Sequence, residues 1–202
     1  IPTTLLSMVD ASVGGKTGVD LGVLKNQIGL FANPEMVLVD TDYLSTVSDR
    51  EIKSGTAEII KYGITYDVKL FKEIKNNKYL KISDLIFRSV EIKNEVVLQD
   101  PKEQNIRKIL NFGHTLGHAI ESFYLESDEK ENLTHGEAIA IGMVCESYMS
   151  LKLLGFPKKN VNEIKEVVLS IYNRTILLKK DFCNIMELLK HDKKNINGQV
   201  NF

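Results

Sequence analysis

Thiols are scarce in this chain: its 202 residues include two cysteines, Cys145 and Cys183, each standing alone in the sequence. That spacing favours two buried thiols over a disulfide or a metal pair. Net charge is scarce too. With 26 basic residues against 27 acidic ones, a balance of -1, nothing electrostatic recommends a nucleic acid or an anionic membrane as partner. No apolar run approaches the ~20 residues that cross a bilayer, and the N-terminus lacks the basic-then-apolar pattern of a signal peptide. The expected setting is cytoplasmic. Internal repeats and low-complexity segments are missing as well. So is an initiator methionine: the chain starts at Ile1, inside what reads as a motif, and stops at Val200-Asn201-Phe202, an alternation that reads as a strand cut short. A fragment of a longer protein is the expectation.

What is present suffices for one full core, at 43% hydrophobic content. Residues 1–42 are rich in glycine and β-formers, whereas residues from 48 to about 190 carry helical periodicity, so a boundary is expected at 43–48. Met36-Val-Leu-Val-Asp40, bounded by Asn33-Pro34, suits a buried strand of a parallel sheet. Ser48-Asp-Arg-Glu51 fits a capping box, opening a helix that carries Glu58 and Lys61 on one face and is expected to stop at Gly63. Around residues 85–97, helical spacing puts Lys93 on the apolar side, where a cation needs an anionic partner or must snorkel outward. Thr134-His135-Gly-Glu137 is a second capping box, launching an apolar helix over 138–154 that ends at Gly155. Helices near 161–172 and 180–191 complete a mostly helical bundle.

The stretch most suggestive of chemistry is Asn111-Phe-Gly-His114-Thr-Leu-Gly-His118-Ala-Ile-Glu121. Its two histidines, four residues apart, share one face of a helix and can address a single site. Gly113 and Gly117 cost the helix about 1 kcal/mol each, which suggests that a ligand or a second helix approaches closely there. Metal binding or acid/base chemistry is the leading reading. Glu58, His114 and His135 form the candidate metal set, three N/O ligands from three helices with room for an open position, as in a catalytic zinc site. His191, beside Asp192-Lys193-Lys194, reads as a solvated helix end. Val13-Gly-Gly-Lys16-Thr17-Gly18 invites a phosphate-loop reading, but Asp10 stands where the first glycine of that motif belongs. Two alternatives stay open: an anion-binding loop using Lys16, Lys25 and backbone N–H groups, or a tight turn with solvated lysines.

Taken in order, Ile1-Pro-Thr3-Thr4-Leu-Leu, Val9-Asp10-Ala-Ser-Val-Gly-Gly-Lys16-Thr-Gly, Leu24-Lys25-Asn26-Gln-Ile-Gly, Ala57-Glu58-Ile-Ile-Lys61-Tyr-Gly, the Asn111 stretch and His135-Gly-Glu137-Ala-Ile-Ala-Ile-Gly closely resemble the 3-dehydroquinate synthases. The resemblance covers essentially the whole chain and corresponds to the middle and C-terminal part of those enzymes. It implies a mostly α fold, with the end of an incomplete Rossmann-like dinucleotide-binding α/β domain over 1–47 and an α-helical metal- and substrate-binding domain over 48–202. It also implies a homodimeric lyase of the shikimate pathway, dependent on NAD and on Zn2+ or Co2+. Its substrate would be a small phosphorylated sugar acid, 3-deoxy-D-arabino-heptulosonate 7-phosphate, converted to 3-dehydroquinate by transient oxidation, phosphate elimination, reduction and aldol closure.

Matched motif by motif, the resemblance makes Glu58, His114 and His135 metal ligands and gives His118, Lys16, Asn111 and Lys61 catalytic roles. Substrate contacts fall on Lys16, Asn26, Lys93, Arg107, Asn111, His118, Lys193 and Lys194. Cofactor contacts fall on Thr3, Thr4, Asp10, Lys16, Lys25 and Thr46. Lys93 and Arg107 would grip a carboxylate, which distinguishes this chain from cyclases whose sugar phosphates lack one. Gly113 and Gly117 would provide the clearance that lets substrate lie against the helix. Two alternatives remain: a metal-dependent polyol or alcohol dehydrogenase, and an isolated metal-binding fragment without activity.

Overall fold

A wide helical turn, Ser7–Ala11, starts the fold, with the Ser12 N–H donating back to the Ser7 carbonyl at 3.0 Å. Such single π-type turns recur at functional sites, and this one carries Asp10. This is a computed structural model; it describes residues 1–21, 24–76 and 81–190, without the side chains of residues 20–27 and 190. The chain divides into two compact units, Ile1–Leu110 and Asn111–Phe202.

In the first unit, Gly14 and Gly15 hold φ of +102° and +64°, left-handed values that cost glycine little. They turn the chain into an antiparallel hairpin of β1 (Lys16–Leu21) and β2 (Leu24–Phe31), with Lys16 opposite Phe31 and Val19 opposite Ile28. The expected strand over 36–40 does not form. Among the described residues the strands are β1 and β2, each paired to the other, so the apolar run finds no neighbouring ladder. Met36 and Leu38 are exposed, and Val39 packs against the core.

Helix α1 (Asp49–Thr65) begins where the Ser48 hydroxyl accepts the Glu51 N–H. It does not stop at Gly63. A side chain there would lie 3.0 Å from the Phe71 backbone, so this glycine serves the close approach of α2 (Val68–Lys75), which Asp67 caps. Helix α3 (Ile82–Gln99) brings Ile86, Ile92 and Val96 onto Leu5, Met8, Val9, Ile59 and Tyr62, the core of this unit.

The second unit holds α4 (His114–Leu125), α5 (His135–Leu154), α6 (Lys158–Ile171) and α7 (Asp181–Lys190). Both halves of the Thr134–Glu137 capping box are made, and α5 ends at Gly155 in the left-handed conformation. Ala119, Ile120 and Phe123 of α4 pack with Ile185 and Leu189 of α7. The cysteine expectation needs correction: Cys145 is half-buried and Cys183 exposed. Helix α7 turns Ile185 and Leu189 inward, which leaves Phe182 and Cys183 facing out. Among the described residues, no helix is long and apolar enough to cross a membrane.

Candidate metal centre and charge cluster

Helix α4 starts at His114 without a capping side chain of its own, because its N-cap is Gly113 at φ +81°. The missing cap comes from α5. Buried Glu146 accepts the Gly113 N–H at 2.6 Å and the Leu116 N–H at 3.2 Å, satisfying donors that a helix start leaves open. The two helices touch backbone to backbone. A side chain on Gly142 would sit 1.9 Å from the Gly113 carbonyl oxygen, and one on Gly117 would strike Ile139 at 2.7 Å. The clearance at Gly113 and Gly117 is therefore filled by α5, not left for substrate.

This packing gathers three histidines. His114 and His118 stand one turn apart on α4, His135 opens α5, and their ring centroids are 5.3, 5.5 and 5.7 Å apart. One nitrogen from each can be chosen so that all three lie within 4.8 Å of one another. The His114 Nδ1 lies 3.2 Å from the Phe112 carbonyl, and the His135 Nδ1 lies 3.4 Å from Oε2 of buried Glu121. Three imidazole nitrogens converging this way suit zinc or cobalt.

The first unit carries a different cluster, centred on Asp10. The Lys93 ammonium, 8% exposed, donates to the Asp10 carboxylate at 2.8 Å and to its carbonyl at 2.6 Å. Tyr62 donates to the same carboxylate at 2.6 Å, and Lys61 lies 3.9 Å from it while pairing with buried Glu58. Burial pushes the Asp10 carboxyl upward, but the Lys93 and Lys61 charges outweigh it and hold the group at about 2. Burial lowers Lys93, with Asp10 opposing, and burial beside Asp10 and Glu58 raises the Tyr62 phenol. Lys93 thus finds its anionic partner within the chain. Arg107, buried, donates to the carbonyls of Gly14 at 2.9 Å and Pro101 at 2.8 Å.

Other candidate residues are placed less tellingly. Lys16 pairs with Glu103 at the surface. Thr3 is exposed, Thr4 exchanges hydrogen bonds with Ser7, and the Thr46 hydroxyl donates to the Tyr43 carbonyl at 3.2 Å. Asn111 is half-buried at the end of the short turn Ile106–Asn111. Lys25 and Asn26 lie in β2 with side chains outside the described residues, as do His191, Lys193 and Lys194 altogether. Sequence reading missed Glu121, Glu146 and Tyr62. A signal existed for Glu146, a lone carboxylate in the apolar run of α5, and for Glu121, two turns after His114 on the same helix.

Residues 55–195 match the family model described as 3-dehydroquinate synthase C-terminal, and residues 1–54 the one described as 3-dehydroquinate synthase N-terminal. The chain belongs to the 3-dehydroquinate synthase family. The dehydrogenase alternative gives way to that match. The 3-dehydroquinate synthase of Methylacidiphilum infernorum is 46% identical over 100% of this chain and 56% of its own length. That of Parabacteroides distasonis is 42% identical over 100% of this chain and 58% of its own. The chain thus spans little more than half the length of these relatives.

Two solved cyclases share the fold. A 2-deoxy-scyllo-inosose synthase complexed with carbaglucose-6-phosphate, NAD+ and Co2+ is 28% identical with a TM-score of 0.80, over 96% of this chain and 54% of that one. A 2-epi-5-epi-valiolone synthase from Streptomyces hygroscopicus with NAD+ and Zn2+ bound is 25% identical with a TM-score of 0.77, over 94% and 55%.

Proposed function

We propose that this chain is the metal- and substrate-holding part of a 3-dehydroquinate synthase, which converts 3-deoxy-D-arabino-heptulosonate 7-phosphate to 3-dehydroquinate and phosphate. The observation that carries the reading is the convergence of three histidine nitrogens within 4.8 Å, from two helices of a chain in that family. Zinc or cobalt and NAD are the proposed cofactors, as named for the related cyclases. His114 and His135 would hold the metal, with Glu58 as the proposed third ligand, and residues 1–47 would be the end of the NAD-binding domain. When bound, the metal supplies Lewis-acid polarisation of a substrate oxygen, and NAD takes up and returns a hydride.

The chain's own groups supply charge and position. Lys93 and Arg107 would bind the substrate carboxylate, which would join an ammonium already held by Asp10. Lys16, Asn26, Asn111 and a lysine of Lys193-Lys194 would contact phosphate and hydroxyls. Lys61 would hold the Glu58 carboxylate in place through their ion pair. His118 would hold or pass a proton beside the ligand histidines, while Thr3, Thr4, Asp10, Lys25 and Thr46 would face NAD. The assembly proposed is a homodimer. Elimination and aldol closure need mainly a confined conformer and preorganised charge, which these residues provide.

Zinc analysis of the purified chain is expected to give about one ion per chain, lost in His114→Ala. Undiminished zinc in that variant would overturn the reading. Because the chain covers 56–58% of its relatives' length, a second reading holds that it binds metal without turnover. A turnover assay on the zinc-loaded chain separates the two.

A further inference from the structure

We propose that Glu121 is a positioning residue: its carboxylate fixes His135 as the tautomer that carries its proton on Nδ1, so that Nε2 is the nitrogen offered to the metal. This deepens the metal reading above and rests on it.

A ring nitrogen that faces a group able only to accept must carry the proton, and the other nitrogen then keeps its lone pair. The Phe112 carbonyl imposes this on His114, whose Nδ1 lies 3.2 Å away. Glu121 does the same for His135. Its Oε2 is 3.4 Å from Nδ1, and the carboxylate is buried, 8% exposed, where an ionised group is costly without a donor.

Glu121 is of a ligand type itself, yet among the described residues the converging group comprises the three histidines and does not include it. Its contact with the histidine group runs through the His135 Nδ1. Helix register makes the arrangement economical. Glu121 lies two turns beyond His114 on α4, whereas His135 opens α5, so one carboxylate ties the ligand of one helix to the frame of the other. Such outer carboxylates orient a ligating imidazole and raise its basicity.

Nitrogen-detected NMR of the metal-free chain, about two pH units above the ordinary histidine value, reads the tautomers directly. Both His114 and His135 are expected to carry the proton on Nδ1 in the wild type. In Glu121→Ala, His135 should move to the Nε2–H form that predominates in free imidazole side chains, with His114 unchanged as the internal control. Zinc affinity should fall about tenfold to a hundredfold. Glu121→Gln keeps an acceptor oxygen and should retain the wild-type tautomer and most of the affinity.

An Nε2–H form of His135 in the wild type would overturn the inference even if Glu121→Ala does not fold. So would an unmoved tautomer in a folded Glu121→Ala. A wild-type chain that binds no zinc would sink the metal reading instead, and a chain that binds zinc with His135 protonated on Nε2 would sink this inference alone.

Discussion

The charge cluster around Asp10 and the histidine group at the start of α4 and α5 are built on opposite plans. In the first, two acids and two lysines neutralise one another, and the position of each depends on the others: Lys93 on Asp10, Lys61 on Glu58. Removing one member of such a buried set strands its partner. In the second, the converging ligand atoms among the described residues are three imidazole nitrogens. Their placement comes from backbone devices, namely the Glu146 cap, the Thr134–Glu137 box and the contact of Gly142 with Gly113. The charge cluster is held by its functional groups, and the histidine group by its scaffold.

The sharpest way to break that contrast is Gly142→Ala, which changes no functional group. Its Cβ would lie 1.9 Å from the Gly113 carbonyl oxygen and 2.8 Å from the Gly117 nitrogen, backbone atoms that no rotamer change can relieve. We expect about 3 kcal/mol of destabilisation, at the upper end for overpacking, with faster hydrogen exchange in α4 and α5 and weakened zinc binding. Unchanged exchange and zinc affinity would show that the histidines do not depend on this contact.

That dependence also explains how much the sequence revealed. The Thr134–Glu137 capping box, the Ser48 N-cap, the left-handed stop at Gly155 and the shared face of His114 and His118 are local or periodic signals, and they were legible. Gly63 was misread as a stop because its reason is Phe71 on another helix, and a tertiary close approach leaves no mark in the helix's own sequence. The apolar run 36–40 forms no strand because pairing needs a second strand, which the run itself cannot announce. Lys93 could be seen to need an anion, but not that Asp10, far away in sequence, would supply it through a π-type turn. Periodicity reports the faces of an element and is silent about what meets them.

The charge cluster should answer to pH. Asp10 titrates at about 2, below its ordinary 3.8. A carboxylate depressed on folding contributes stability that is fully present above the ordinary value and is lost as pH falls through the folded one. The shift corresponds to about 2 kcal/mol, kept at the low end because the side chain is 24% exposed. Asp10→Asn should therefore cost about 2 kcal/mol at neutral pH. It should also flatten the acid limb of denaturant midpoints between the ordinary value and the folded one. Lys93, Lys61, Glu58 and Tyr62 all face this carboxylate, so a limb unchanged in Asp10→Asn would place the acid sensitivity on another group. Zinc content should stay at the wild-type level.

The smallest expected effect tests the scaffold at its finest grain. Thr134→Ala deletes the hydroxyl that accepts the Glu137 N–H at 3.3 Å, while Glu137 can still accept the Thr134 N–H at 2.8 Å. Half of the capping box remains, so the loss should be about 1 kcal/mol, typical of a single N-cap. His135 is the first residue of that helix, and fraying of its first turn competes directly with holding the imidazole in place. Zinc affinity should therefore drop by about the same free energy, roughly fivefold. A stability loss without any change in zinc affinity would mean that the ring, anchored by Glu121, stays in place while the turn beneath it frays. The imidazole would then be positioned by its side-chain partner and not by the helix start.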